Sequence, residues 1–104
     1  MAIKILGHGV ALSTTPNDPF YTAPGDVISA TIATGTVENK LNIGAKLFLF
    51  ISGRNTWVLR GRDIPVLGAP LVIPPITLKP GETLQAWSDT ANALDINITI
   101  GEQR

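Results

Sequence analysis

Apolar and polar residues alternate with a period of two along much of this chain, most clearly near its C-terminal end. Leu94, Ile96, Ile98 and Ile100 alternate with polar residues at 95, 97 and 99, which predicts a half-buried strand. The segment Thr83–Ser88 alternates in the same way and is separated from the first run by a short polar turn. We expect the two strands to pair as a hairpin or to face each other across a sandwich.

Shorter segments upstream repeat this period. Val27–Ala33 alternates along its length, and Lys46–Ile51 is apolar on both faces, which predicts a central strand covered on two sides. Thr56–Arg60 and Leu71–Ile73 are flanked by glycine or proline, a context typical of edge strands.

The two ends of the chain carry separate predictions. Ile3–Leu12 reads as a strand with a bulge at Gly7-His8-Gly9. Residues 1–15 could pair within the domain or form an arm that joins the sheet of a neighbour. The polar residues 101–104 are expected to fray.

Turn-forming clusters separate the strands at short intervals, and no window has a sustained helical period. These clusters are Pro24-Gly25-Asp26, Ser52-Gly53-Arg54-Asn55, Gly61-Arg62-Asp63 and Lys79-Pro80-Gly81-Glu82. The pattern predicts one domain over residues 1–104, an all-β antiparallel sandwich of about seven or eight short strands. An immunoglobulin-like and a jelly-roll-like connectivity both fit.

Composition restricts the function. The 104 residues include eight Lys and Arg against eight Asp and Glu, with 15% charged residues and no cysteine. Neutral net charge argues against general binding to nucleic acid or to an anionic membrane, and disulfides and thiolate metal sites are excluded. The low charge suggests that other subunits cover part of the apolar surface. With no signal-peptide pattern and no apolar run long enough to span a membrane, we expect synthesis in a cytoplasm.

Candidate catalytic residues do not form a recognisable set. His8 is the single histidine and lies between two glycines, and no serine lies in a nucleophile-elbow context. The acidic residues Asp63, Glu82, Asp89 and Asp95 fall in turns or on polar strand faces. We therefore expect no catalytic, cofactor or metal site, and no enzyme activity.

One basic cluster has a tryptophan within it. Three arginines surround Trp57 in the sequence: Arg54, Arg60 and Arg62. The set could be a solvated hairpin whose arginine stems cover part of the tryptophan. It could also be an interface, because Trp and Arg are enriched at binding hot spots. Trp87, on the less apolar face of its strand, is a second candidate. The proline-rich segment Pro70–Pro75 is a candidate protruding loop or arm. The predicted interface residues are Arg54, Trp57, Arg60, Arg62, Pro70, Pro74, Pro75 and Trp87.

Several segments resemble small β-sandwich structural proteins of tailed bacteriophages. Phe20-Tyr21-Thr22-Ala23-Pro24-Gly25 is similar to their opening motif, and Asp63-Ile64-Pro65-Val66 to their Ile-Pro step. Leu78–Ala86, with the sequence LKPGETLQA, and Ala91–Ile96, with ANALDI, are similar to their last two strands. The order and spacing of these segments carry the resemblance.

The resemblance implies a non-enzymatic virion protein, made in the host cytoplasm and needing no cofactor. The leading hypothesis is a capsid decoration (cement) protein that binds the major capsid lattice, with a homotrimer as the expected assembly. A neck, head–tail or tail accessory protein is an alternative within the virion. A carbohydrate-binding sandwich module that stacks sugars on Trp57 or Trp87 is an alternative of another class.

Overall fold

The computed structural model describes residues 3–41, 43–65 and 70–104, and these residues form two antiparallel β-sheets. Sheet I has the order β1-β9-β3-β6, with β7 also paired to β3, and sheet II has the order β2-β8-β4-β5. The strands are β1 (Ile3–Ala11), β2 (Pro19–Thr22), β3 (Ser29–Asn39), β4 (Ala45–Ser52), β5 (Thr56–Ile64), β6 (Leu71–Ile73), β7 (Ile76–Leu78), β8 (Thr83–Ser88) and β9 (Leu94–Gln103). The predicted all-β sandwich is confirmed.

The order of the strands is that of a jelly roll. β6 and β7 pair with successive parts of β3, at Gly35–Val37 and at Ala30–Ile32, so the two short strands share one edge position. Counted as one strand, they make two sheets of four strands, and the chain crosses between the sheets at most of its connections. The split explains why nine strands are seen where seven or eight were predicted.

The core is the apolar layer between the two sheets. It is built by alternate residues of the central strands, because successive side chains of a strand point to opposite faces. Its largest fully buried side chains include Ile32, Leu47, Leu49, Leu84, Leu94, Ile96 and Ile100. Burial of one such side chain stabilises the fold by about 1.5–3 kcal/mol, so this layer holds the sheets together.

The strongest strand predictions are confirmed. β8 has the predicted bounds, and β9 begins at Leu94 and continues to Gln103. Since β8 belongs to sheet II and β9 to sheet I, the two face each other across the sandwich and are not a hairpin. β4 is central in sheet II, and β5 and β6 lie at edges, as predicted.

Two predictions about the ends of the chain need correction. β1 pairs residue for residue with β9 from Ile3 to Ala11, so the bulge predicted at Gly7-His8-Gly9 is wrong, and the strand belongs to its own domain. The side chain of His8 lies outside what the structure describes. Residues 101–103 extend β9, and Arg104 forms ion pairs with Asp26 and Glu102, so this end is not a frayed tail.

The proline-rich segment is also placed differently from the prediction. Pro70–Pro75 contains β6 and leads into β7, and both strands pair with β3 inside the domain. Ile73, Ile76 and Leu78 are buried in the core, because the edge of sheet I needs apolar side chains facing sheet II. Pro70–Pro75 therefore belongs to an edge of the sandwich and is not a protruding loop or arm.

Candidate protein-docking surface

The outer face of sheet II carries a group of aromatic side chains. In β4 the odd-numbered residues from Ala45 to Ile51 are buried in the core, and Phe48 and Phe50 therefore lie on the opposite face. Trp87 of β8 pairs with Phe48, and Trp57 of β5 pairs with Phe50. Three neighbouring strands thus bring four aromatic rings together on a surface that points away from the core.

These rings pack in the geometries that aromatic pairs prefer. Phe48 and Trp87 are stacked, with ring centroids 5.3 Å apart and planes 3° apart. Trp57 meets Phe50 edge to face at 5.0 Å and lies 5.7 Å from Trp87. Each such pair adds about 0.5–1.5 kcal/mol beyond its buried area, so these contacts hold the four rings against one another.

Arg60 completes the cluster. Its guanidinium carbon lies 5.0 Å from the centroid of the Trp57 ring, within the range of a cation–π interaction. Arg60 reaches this place because β5 is bulged at Gly61, so that Arg60 pairs with Phe48 and Arg62 with Leu47. Gly61 has φ +69°, a backbone conformation that glycine adopts without steric cost. We call Phe48, Phe50, Trp57, Arg60 and Trp87 the aromatic patch.

Exposure differs sharply between the two tryptophans. Trp87 is only 7% exposed, beneath Phe48 and Trp57, whereas Trp57 is 39% exposed. The two phenylalanines are half-buried and Arg60 is exposed. A partner that docks here would therefore contact mainly Trp57 and Arg60, with the other rings as their support.

The structure brings together only part of the predicted interface. Trp57, Arg60 and Trp87 meet in the aromatic patch. Arg62 is exposed on β5, and Pro70, Pro74 and Pro75 are exposed along the edge of sheet I. The prolines therefore belong to the other sheet, away from the patch.

Arg54 has a different environment. Its Nε lies 3.2 Å from the Glu82 carboxylate, and its guanidinium also donates to the carbonyl oxygen of Thr77. Glu82 is buried and accepts a further hydrogen bond, 2.7 Å long, from the backbone N–H of Lys79. Arg54 thus ties the β4–β5 hairpin to the β7–β8 turn.

Sequence reasoning missed Phe48 and Phe50 as members of the site. The signal was present, because the run Lys46–Ile51 is apolar on both faces and predicted a second covered face. This run does not show which side chains lie beside Phe48 and Phe50. That depends on β5 and β8 lying on either side of β4.

A second polar cluster lies between the sheets. The Tyr21 hydroxyl of β2 donates to Glu102 of β9, and Arg104 donates to the same carboxylate at 3.0 Å. The hydrogen bond from Tyr21, and secondarily Arg104, hold the pKa of Glu102 below its usual range despite burial. Burial and the bond to Glu102 raise the pKa of Tyr21. Both buried carboxylates of the described chain, Glu82 and Glu102, therefore have partners that give them structural roles.

In the described residues, no three His, Asp or Glu side chains gather as metal ligands would. No helix there is long and apolar enough to cross a membrane.

Comparison with protein-family models, with curated proteins and with solved structures gives no match.

Proposed function

We propose that this chain is a non-enzymatic structural protein of a tailed-phage virion, a capsid decoration protein that docks on the major capsid lattice through the aromatic patch. The observation that carries the proposal is the preassembled cluster of Trp57 and Arg60 on the outer face of sheet II. The resemblance of residues 20–100 to phage sandwich proteins supplies the class of partner. Jelly rolls occur among viral capsid domains, so the fold is compatible with the proposal.

The composition of the patch favours a protein partner. Trp and Arg dominate binding hot spots, which lie at the centre of an interface on well-packed groups. Trp57 rests on Phe50 and Trp87, so a partner would meet a ring that is already fixed in place. Little side-chain entropy remains to be lost on docking, which favours affinity.

The geometry supports a protein partner better than a glycan. A sugar-binding platform needs an open aromatic face, but Arg60 lies over the Trp57 ring. Trp87 is 7% exposed and is stacked on Phe48. A stacked guanidinium can instead pair with a carboxylate on a protein surface while it stays on the ring.

The location of the chain tests the proposal. An antibody against the purified protein would be applied to phage particles from the organism that carries the gene, followed by gold labelling and electron microscopy. Decoration predicts gold spread over the whole head, and mass spectrometry of the same particles should detect the chain in many copies. Gold only at the neck or tail would contradict decoration but keep the virion assignment. Particles without the chain would overturn both.

A further inference from the structure

Three of the four sheet edges are built in ways that hinder the addition of another strand. β2 is four residues long, starts at Pro19 and is irregular at Phe20. β5 is bulged twice and carries Arg60, Arg62 and Asp63. Short length, proline, bulges and charges are the means by which proteins protect their edges.

The edge formed by β6 and β7 is protected as well. Pro74 and Pro75 interrupt it between two runs of only three residues. Proline lacks the N–H group that an added strand would need.

β1 is the exception. It runs for nine residues with a continuous register against β9, the only described strand that pairs with it. It contains no proline and a single charge at Lys4, and it presents Ile5 with 72% exposure. Gly7 carries no side chain, and a Cβ built there would meet no atom within 4 Å, so the middle of the strand is open.

The hydrogen-bonding phase of β1 shows which groups face outward. The N–H of Leu12 donates to the carbonyl oxygen of Leu94 at 2.9 Å, one step beyond the pair Ala11 and Asp95. Since alternate residues of an antiparallel strand bond to the same side, the even-numbered residues of β1 bond to β9. The N–H and C=O groups of Ile5, Gly7, Gly9 and Ala11 therefore point to the open edge.

We infer that the open edge of β1 pairs with β1 of a second copy of this chain, antiparallel about a two-fold axis at Gly7. In this register Ile5 lies opposite Gly9 of the second copy, so the exposed isoleucine side chain has a glycine beside it. Lys4 lies opposite Val10, which keeps like charges apart. The two copies of sheet I become one continuous sheet. This two-fold dimer differs from the homotrimer that the resemblance implies. The inference does not rest on the virion proposal, because it uses a different sheet.

A single cysteine tests this register directly. The chain has no cysteine of its own, and a Cβ at Gly7 would meet no atom within 4 Å. Hydrogen-bonded antiparallel partners have Cα atoms about 5.5 Å apart, within the range of about 4.4–6.8 Å that a disulfide spans. Under mild oxidation by copper phenanthroline, Gly7→Cys should form a covalent dimer about tenfold faster than Gly25→Cys, because pairing raises the effective thiol concentration.

Gly25 is a matched control because it is exposed and equally open, and it lies in a loop. Equal rates of dimer formation for the two variants would overturn the inference, as would a Gly7→Cys protein that stays monomeric under oxidation.

Charge exchange at the same position gives an independent test. Like charges directly opposite each other on paired strands repel, and opposite charges attract. By sedimentation velocity the wild-type protein should be dimeric, Gly7→Lys and Gly7→Glu should each be monomeric, and their mixture should form a heterodimer. Circular dichroism would check that each variant is folded. A monomeric wild-type protein, or a dimer unaffected by Gly7→Lys, would contradict the inference.

Discussion

The hydroxyl group of Tyr21 donates a hydrogen bond 2.5 Å long to the carboxylate of Glu102. Tyr21 belongs to sheet II and Glu102 to sheet I. This hydrogen bond therefore connects the two sheets, whose other buried contacts are mostly apolar. Glu102 is 2% exposed, and a buried carboxylate is stable only when its oxygens are hydrogen-bonded.

Removal of this hydroxyl should destabilise the fold. Tyr21→Phe leaves one oxygen of a buried charge without its donor, which costs about 1.5–3 kcal/mol in the free energy of unfolding. Urea denaturation at pH 7 would measure the change. Thr22→Val is the control, since it removes the exposed hydroxyl contact with Thr83 from the same strand, and it should change stability by less than about 0.5 kcal/mol. A Tyr21→Phe protein as stable as this control would contradict the assigned role.

The same pair predicts a pH dependence. Because the folded protein lowers the pKa of Glu102, mainly through Tyr21, the stabilisation is present above the unfolded carboxyl pKa of about 4.3 and is lost as pH falls through the folded value. Because burial and Glu102 raise the pKa of Tyr21, its contribution is lost as pH rises beyond about 10. The stability difference between wild type and Tyr21→Phe should therefore be constant near neutrality and smaller at both extremes. An unchanged difference at about pH 3 would be inconsistent with this coupling.

The Arg54–Glu82 pair gives a prediction about the β7–β8 turn. Glu82→Ala removes the acceptor for the Lys79 N–H as well as the partner of Arg54, and should cost about 1.5–3 kcal/mol. Asp95→Ala breaks the exposed pair with Lys40 and should cost at most about 1 kcal/mol. Thermal unfolding of the two variants would compare them. Equal losses would mean that Glu82 acts only as a surface charge.

Gly35 should not tolerate a methyl group. A Cβ there would lie 3.1 Å from both Ile73 Cδ1 and Ile98 Cγ2, so Gly35→Ala should destabilise the protein by about 1–3 kcal/mol through overpacking. Adding Ile73→Val removes one of these atoms and should restore part of the loss. Gly101→Ala, at an open site in the strand β9, is the matched control and should unfold like wild type. A neutral Gly35→Ala would show that the core repacks freely.

Two glycines, Gly35 and Gly9, show why some strands could not be predicted from the sequence. One-sided alternation was enough to place β8 and β9, since apolar residues occupy every second position of the core face from Leu84 to Ala86 and from Leu94 to Ile100. β3 was predicted to end at Ala33 but continues to Asn39, because Gly35 serves close packing against Ile73 and Ile98 and does not interrupt the strand.

The wrong prediction of a bulge at Gly9 has a similar cause. It suggested a bulge, but a Cβ there would lie 2.2 Å from Oδ1 of Asn97, so glycine is needed for the side chain across the ladder. Such needs come from the neighbouring strand and are not visible in the local pattern.

In the candidate site, contacts between residues close in sequence were predicted and contacts between distant residues were not. Trp57 and Arg60 are close in sequence and were grouped correctly, whereas Arg54 was grouped with them by proximity and binds Glu82, 28 positions away. The inter-sheet pair of Tyr21 and Glu102 was not foreseen, because nothing in either segment indicates that the topology joins them.

The most direct test of the docking role is the binding of patch variants to particles that lack the chain. Purified wild-type protein, Trp57→Ala, Arg60→Glu and Val72→Ala would be titrated onto such particles and quantified by cosedimentation. Val72 is the control, since it is an apolar residue of sheet I with 68% exposure. We expect Trp57→Ala and Arg60→Glu to bind at least about 30-fold more weakly, the effect of losing a hot spot worth about 2 kcal/mol, and Val72→Ala to bind like wild type. Equal binding by all four proteins would contradict a docking role for the aromatic patch.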